Sequence, residues 1–270
     1  MKKTSMTMLG IALVFLTASA NADRIAKVEI TSTDTSINNR LYIGPEFMWS
    51  HFRGGLVTKS YDFRAKQDIY YAGLRFGYEY LKPRALYANT DAIVALGASH
   101  NHLIQEKKEI AADKDIAAHV KEAFKGHRGH LWINVEQDLG YTFASSIVPS
   151  CTISFYGAPG FHFEHIKGNK AQWWYVATGI KTYQQFTDSF HVGCDLKVMY
   201  AFAAQDEGIL ILPTTLGKKE FWGYEVGVPF EWALGNCHTF DLQFKPYLLK
   251  LNIDSPETIL GARLELGYNF

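Results

Sequence analysis

The chain has 270 residues, 47% of them hydrophobic and 14% aromatic, with 27 basic and 27 acidic side chains. That balance excludes the basic excess of a nucleic-acid binder, and no apolar run approaches the ~20 residues of a membrane-spanning helix. Three cysteines, Cys151, Cys194 and Cys237, are too widely spaced and odd in number for a disulfide framework.

Met1 to Ala22 joins a basic start at Lys2 and Lys3 to an apolar core from Met8 to about Ala18 and to small residues at Ala20 and Ala22. This is the pattern of a cleavable secretory signal. Its removal leaves 25 basic against 27 acidic residues, a net charge of −2. Residues 23–39 are polar, rich in Thr and Ser, and read as a periplasmic lead-in, and 40–270 form the folded unit.

The first strand is expected over 40–52, with Leu41, Ile43, Phe47 and Trp49 on one face and Tyr42, Gly44, Glu46 and Ser50 on the other. A second, over 68–82, sets Tyr70, Ala72, Leu74, Phe76, Tyr78 and Tyr80 against Gly73, Arg75, Gly77 and Glu79. The same two-faced pattern recurs at about 86–100, 130–143, 151–165, 171–185, 189–203, 219–234, 238–251 and 258–270, which makes ten strands. Asp91, Glu136, Asp138, Lys181, Asp195, Lys197, Glu225, Glu231, Asp241 and Lys245 share the polar faces. Cys194 has the parity of Val192 and Leu196 and reads as a small apolar filler. A Cys151–Cys237 bridge stays open for an oxidising compartment.

Alternation alone does not say which face looks inward, because a soluble barrel of the lipocalin kind buries its apolar face and wets its charged one. Strand length, aromatic placement and loop asymmetry decide. The strands run well past the usual ~5–6 residues and suffice for the ~9–11 of a tilted spanning strand. Trp49, Tyr141, Phe143, Phe161, Phe163, Trp174, Trp222, Phe230 and Trp232 lie toward strand ends, as interfacial girdles do. With the start in the periplasm, outward loops fall at 53–67, 101–129, 166–170, 204–218 and 252–257, and inward turns at 83–85, 144–150, 186–188 and 235–237. Long outward loops with short inward turns are the asymmetry of outer-membrane barrels.

The final stretch completes the pattern. Leu260, Ala262, Leu264, Leu266, Tyr268 and Phe270 share one parity, while Gly261, Arg263, Glu265, Gly267 and Asn269 share the other. Its end at Tyr268 and Phe270 resembles the closing strand of Gram-negative outer-membrane β-barrels, which finishes in phenylalanine with an aromatic two residues before it. The resemblance implies an all-β transmembrane antiparallel up-and-down barrel of about ten strands, closed by the C-terminal strand. It also implies an outer-membrane location, outer-membrane lipid and the barrel-assembly machinery as partners, and Tyr268 with Phe270 as the assembly signal.

With the apolar face toward lipid, the charged face becomes the lumen. Glu46, Arg75, Glu79, Asp91, Glu136, Asp138, Lys181, Asp195, Lys197, Glu225, Asp241, Lys245, Arg263 and Glu265 are then expected to pair and fill a narrow interior. Barrels of 16 or more strands leave an aqueous pore, so ten favour a plug or a thin conduit.

In the longest loop, Ile116, Val120 and Phe124 recur every four residues between Asp113 and Gly126, the pattern of a short amphipathic helix over 113–125. Gly208 to Pro213 forms an apolar run outside the expected membrane band, either an interaction patch or a β-extension.

His51, His100, His102, His119, His127, His130, His162 and His165 fall at or beyond the outer rim, leaving His191 and His238 near the periplasmic side. His100 with His102, and His162 with Glu164, are two residues apart and share strand faces, a spacing that can present both to one metal ion; it matches no named zinc motif. Omptin-type surface proteases also have ten strands and place an Asp-His pair at the rim, but no Asp-His dipeptide occurs here. Outer-membrane lipid A deacylases use a His and a Ser two apart, whereas Ser50-His51 and Ser99-His100 are adjacent and face opposite ways. No phosphate-cradling glycine loop or nucleophile elbow appears, and no cofactor is expected. The chain therefore reads as a non-enzymatic surface protein, adhesin- or evasion-like, that meets an extracellular ligand or host surface and no nucleic acid. A hydrolase at the extracellular rim and a narrow channel are the alternatives.

Overall fold

The computed structural model describes residues 39–57, 62–81, 84–107, 128–144, 151–166, 169–208, 220–235, 239–252 and 257–270. The signal segment, the lead-in through residue 38, the 113–125 helix, the apolar run from 209 onward and Cys237 lie outside them. Cys151 and Cys194 are free thiols.

The strands are β1 (Asn39–Val57), β2 (Asp62–Tyr80), β3 (Leu86–Lys107), β4 (Arg128–Ala144), β5 (Cys151–Ile166), β6 (Asn169–Thr187), β7 (Phe190–Gly208), β8 (Phe221–Gly227), β9 (Phe230–Leu234), β10 (Phe240–Leu251) and β11 (Glu257–Asn269). Each pairs antiparallel with its neighbours, and β11 returns to β1 from Arg40↔Asn269 to Phe52↔Glu257, which closes the barrel. Both β8 and β9 pair with β7 on one side and β10 on the other, so they occupy one place in the wall. The barrel therefore has ten staves.

The stave expected over 219–234 is interrupted at Val228 and Pro229, because proline has no N–H to donate to the ladder. Irregular bonds fill the gap: Val228 N donates to Pro246 O at 3.1 Å, and Gly193 N to Pro229 O at 2.8 Å. Pro45 and Pro159 likewise fall where one flanking ladder skips residues.

Alternation sets the two faces. Leu41, Leu74, Leu96, Val176, Val226, Leu248 and Leu264 point outward and are exposed, while Glu46, Arg75, Asp241 and Lys245 point inward and are at most 7% exposed. Trp49, Tyr70, Trp174 and Trp222 edge this apolar belt at one end, and Tyr268, Phe270, Phe240 and Trp232 at the other. From Leu41 to Trp49 the strand covers about 26 Å at ~3.3 Å per residue, or about 20 Å along the axis at a ~40° tilt. That approaches the ~25 Å apolar band of a spanning barrel. Exposed side chains of this kind over a whole wall suit hydrocarbon and not water.

The expected outward loops are shorter than the alternation suggested. β1 and β2 stay paired to Val57↔Asp62, β2 and β3 to Asp62↔Lys107, and β6 and β7 to Asn169↔Gly208, all within segments read as loops. Beyond the belt neither face meets lipid. The apolar-polar contrast that marks a strand in sequence disappears there, while the ladder continues.

Candidate functional site

The lumen has two storeys. In the lower one, cations from different staves reach across to carboxylates. Arg40 donates through Nε to Asp241 at 2.9 Å and through Nη1 to Glu265 at 3.0 Å. Arg75 donates through Nε to Glu46 at 2.5 Å and through Nη1 to Asp91. Lys197 of β7 pairs with Glu136 of β4 and Glu225 of β8, each at 3.0 Å. Lys181 pairs with Glu79, Lys245 with Asp195, and Arg263 with Glu225 at 3.4 Å. Asp138 accepts from Asn89 Nδ2 at 3.0 Å. The side chains of these residues point into the lumen.

Beyond the fourteen charged residues the lumen also holds Arg40 and four tyrosines, of which alternation put only Tyr42 on the polar face. Tyr42, Tyr156, Tyr175 and Tyr247 each stand directly opposite a glycine, Gly77, Gly179, Gly160 and Gly261 respectively. A Cβ at any of the four glycines would come within 2.1–2.5 Å of the phenol of its tyrosine. With only hydrogen there, the ring lies flat on the wall and its hydroxyl reaches the network: Tyr42 to Asn89 at 3.1 Å, Tyr156 to Asp195 at 2.9 Å, Tyr175 to Glu136 at 2.7 Å, and Tyr247 to Glu46. The space left over is a cavity of about 80 Å³, room for a few waters.

The upper storey, toward the end of the belt edged by Trp49 and Trp222, is built differently. Met48, Ile69, Ile93, Trp132 and Ile259 form one buried apolar cluster, and Trp173, Met199, Ala201, Phe221 and Leu251 belong to a second. Among them Tyr71 of β2 reaches across to Glu164 of β5 at 2.5 Å, and His130 Nδ1 lies 3.5 Å from the same carboxylate oxygen. Ser50 donates to Glu257. His162 is stacked on Trp173, with ring centroids 3.9 Å apart, and meets the edge of Trp132 at 4.1 Å.

Glu257 pairs with Phe52, beyond the Trp49 girdle position and so outside the membrane band. Burial, reinforced by the Glu164 charge, pushes its carboxyl up to about 7. In the lower storey most carboxylates have a Lys or Arg partner; Glu164 and Glu257 have only hydroxyls and an imidazole among the described residues. His130 Nε2, His162 Nε2 and Ser99 Oγ are buried there without a hydrogen-bond partner among the described residues.

Of the four residues expected to offer metal ligands, His100 does not share a face with His162 and Glu164. His100 is exposed on the outer face, whereas His162 is 2% exposed in the lumen and Glu164 lies beside it. The side chain of His102 lies outside the described residues. Among the described residues no group of three or more His, Cys, Asp or Glu is placed to hold a metal ion. An imidazole-carboxylate pair does form on the outer face: His51 Nδ1 lies 2.8 Å from Asp68, which also accepts from Trp49 Nε1 at 3.1 Å and meets Lys66 Nζ at 3.1 Å. A search for adjacent Asp and His could not find it, because the pair is made by the β1–β2 register.

No family model and no curated protein matches the sequence. Solved structures with a similar trace include the outer membrane protease OmpT from Escherichia coli, at 9% identity and TM-score 0.49 over 90% of this chain and 99% of that one. The beta domain of the Bordetella autotransporter BrkA follows at 10% identity and 0.42, over 86% and 100% of the two chains. The Ralstonia pickettii toluene transporter TbuX gives 9% and 0.35, over 87% and 90%. At these values the likeness carries no argument about activity or ligand.

Proposed function

We propose that this protein is an outer-membrane surface barrel, sealed by its own side chains, whose extracellular end is its working surface. It is an interaction protein of the adhesin or evasion kind. The observation that carries the reading is the lower storey, where Arg40, Arg75, Lys181, Lys197, Lys245 and Arg263 tie carboxylates of distant staves together across the lumen. Ties of this kind fill the cross-section with paired side chains and support a sealed lumen, and the apolar belt suits a bilayer.

Reconstitution into planar bilayers tests the seal: no single-channel steps are expected, and regular conductance steps would return the narrow channel. For the surface role, cells displaying the full chain are expected to adhere to a host-surface matrix more strongly than cells lacking it, and equal adhesion would remove the adhesin reading. A rim hydrolase draws support from Ser50 and His130 near carboxylates. However, no described histidine hydrogen-bonds the Ser50 hydroxyl, so the nucleophile-base contact of acyl transfer is not made among the described residues.

A further inference from the structure

We propose that the lipid-facing wall over β10, β11, β1, β2 and β3 holds one phosphate-bearing membrane lipid, its acyl chain in a groove of the wall and its phosphate on N–H donors directly above. The site goes beyond the surface role proposed above and needs only that the apolar belt face hydrocarbon.

The groove comes from a mismatch in side-chain size. Ala72 and Ala262 point outward between Phe47, Tyr70, Leu96 and Leu260, which are all exposed. The depression left between them has a volume of about 770 Å³, within the ~300–1,000 Å³ of small-molecule sites. On a wall bathed in hydrocarbon, such a depression is filled or forfeits its dispersion contacts. An acyl chain is narrow and flexible enough to lie along it.

Strand register stacks a polar row on the groove. Leu260, Trp49, Tyr70 and Ala98 lie side by side on the outer face. Two residues further along the same strands come Thr258, His51, Asp68 and His100, and Lys250 pairs with Thr258 to extend the row by one stave. Trp49 joins the two levels, because it lines the groove and donates through Nε1 to Asp68 at 3.1 Å.

Within the row the one carboxylate lies underneath. Asp68 is 6% exposed and is covered by Trp49, by His51 Nδ1 at 2.8 Å and by Lys66 Nζ at 3.1 Å. The Lys66 side chain is 33% exposed, and His100 and Lys250 are exposed. An ammonium group carries three N–H donors, so Lys66 can hold Asp68 and still offer donors outward. Lys66 balances Asp68, and Lys250 leaves the row positive before either histidine is protonated. The complementary headgroup is anionic and rich in acceptors, and a phosphate is both. A second copy of the chain fits less well, since a two-fold axis along the membrane normal would set this row against itself, cation to cation.

The experiment folds the full chain into phosphatidylcholine vesicles in which part of the lipid carries bromine on its acyl chains, and reads quenching of tryptophan fluorescence. The brominated lipid is phosphatidic acid in one series and phosphatidylcholine in the other. Phosphatidic acid should be preferred about fivefold, the usual worth of one basic side chain at an anionic membrane surface. Trp49→Phe should remove the fluorescence that reports the preference. Lys66→Gln, which takes away the main donor, and Ala72→Leu/Ala262→Leu, which fills the groove, should each bring the two lipids level. Lys170→Gln, exposed on β6, should change nothing. Lys66 lies beyond the belt, so its variant keeps the test decisive if the groove variant does not fold. Equal quenching by both lipids in the wild type, or a preference that survives Lys66→Gln, groove filling or Trp49→Phe, would overturn the proposal. Protection of Trp49 from both lipids would overturn it too, by placing a second copy over the groove. The conductance and adhesion measurements decide the sealed-barrel and surface readings separately.

Discussion

Replacing Arg75 by methionine separates a sealed lumen from a wet one. Arg75 is 7% exposed and sits between Glu46, which is 0% exposed, and Asp91, at 7%. Its Nε meets Glu46 at 2.5 Å, and the same carboxylate accepts from Tyr247. Methionine fills similar volume but leaves two buried carboxylates facing each other with Arg263 Nε, 4.0 Å from Glu46, as the nearest remaining cation. Breaking a buried pair by removing one partner costs about 3–5 kcal/mol, because the stranded charge keeps its desolvation penalty. The same loss in a water-filled lumen would cost about 0–1 kcal/mol, as for exposed pairs. Urea titration of the protein folded into lipid, read by the mobility shift between folded and unfolded barrel, measures the difference. Arg75→Met/Glu46→Gln should recover part of the loss, since one stranded charge is then removed and the double-variant cycle exposes the coupling. A loss below about 1 kcal/mol with no recovery would refute the sealed network.

Three further outcomes follow from the same geometry. Leu264→Arg puts a charge on the lipid face at mid-belt and should cost about 2–4 kcal/mol, whereas Glu265→Gln should be milder because Asp241 still holds Arg40; the reverse ranking in folding titrations would invert the faces. Gly261→Val should destabilise by at least ~1–3 kcal/mol through overpacking, because Tyr247 lies where the new side chain must go, and Gly129→Val, which meets nothing within 4 Å, is the control that should not change the titration midpoint. Deleting Phe270, which is 59% exposed and touches Tyr78 and Tyr268, should lower the surface level of the protein in cells more than it lowers the stability of barrel already inserted; normal surface levels would remove its assembly role.

The sequence made the barrel wall legible because a membrane imposes the same rule on every stave. Leu264 beside Glu265, or Leu74 beside Arg75, can be read from parity alone, since one neighbour must face hydrocarbon and the other must not. The four tyrosines needed more than parity. Tyr175 shares the inward face with charged residues, but its place against Gly160 depends on the β5–β6 register, and alternation does not encode register between strands. The same limit hid the His51–Asp68 pair, joined only by the β1–β2 ladder.

Glu257 failed to register for a different reason: it lay in a segment read as a loop, above the belt, where water wets both faces and the pattern fades. The rule that reveals the wall is therefore silent at the mouth. Relief from the lipid constraint leaves those positions to the ladder alone, and Glu257 is placed by its register against Phe52. The same holds for the contacts made there: among the described residues Ser50, Tyr71 and His130 answer Glu257 and Glu164, whereas Lys197 answers two carboxylates at once one storey lower, and which staves meet across the lumen is set by closure of the barrel and not by parity.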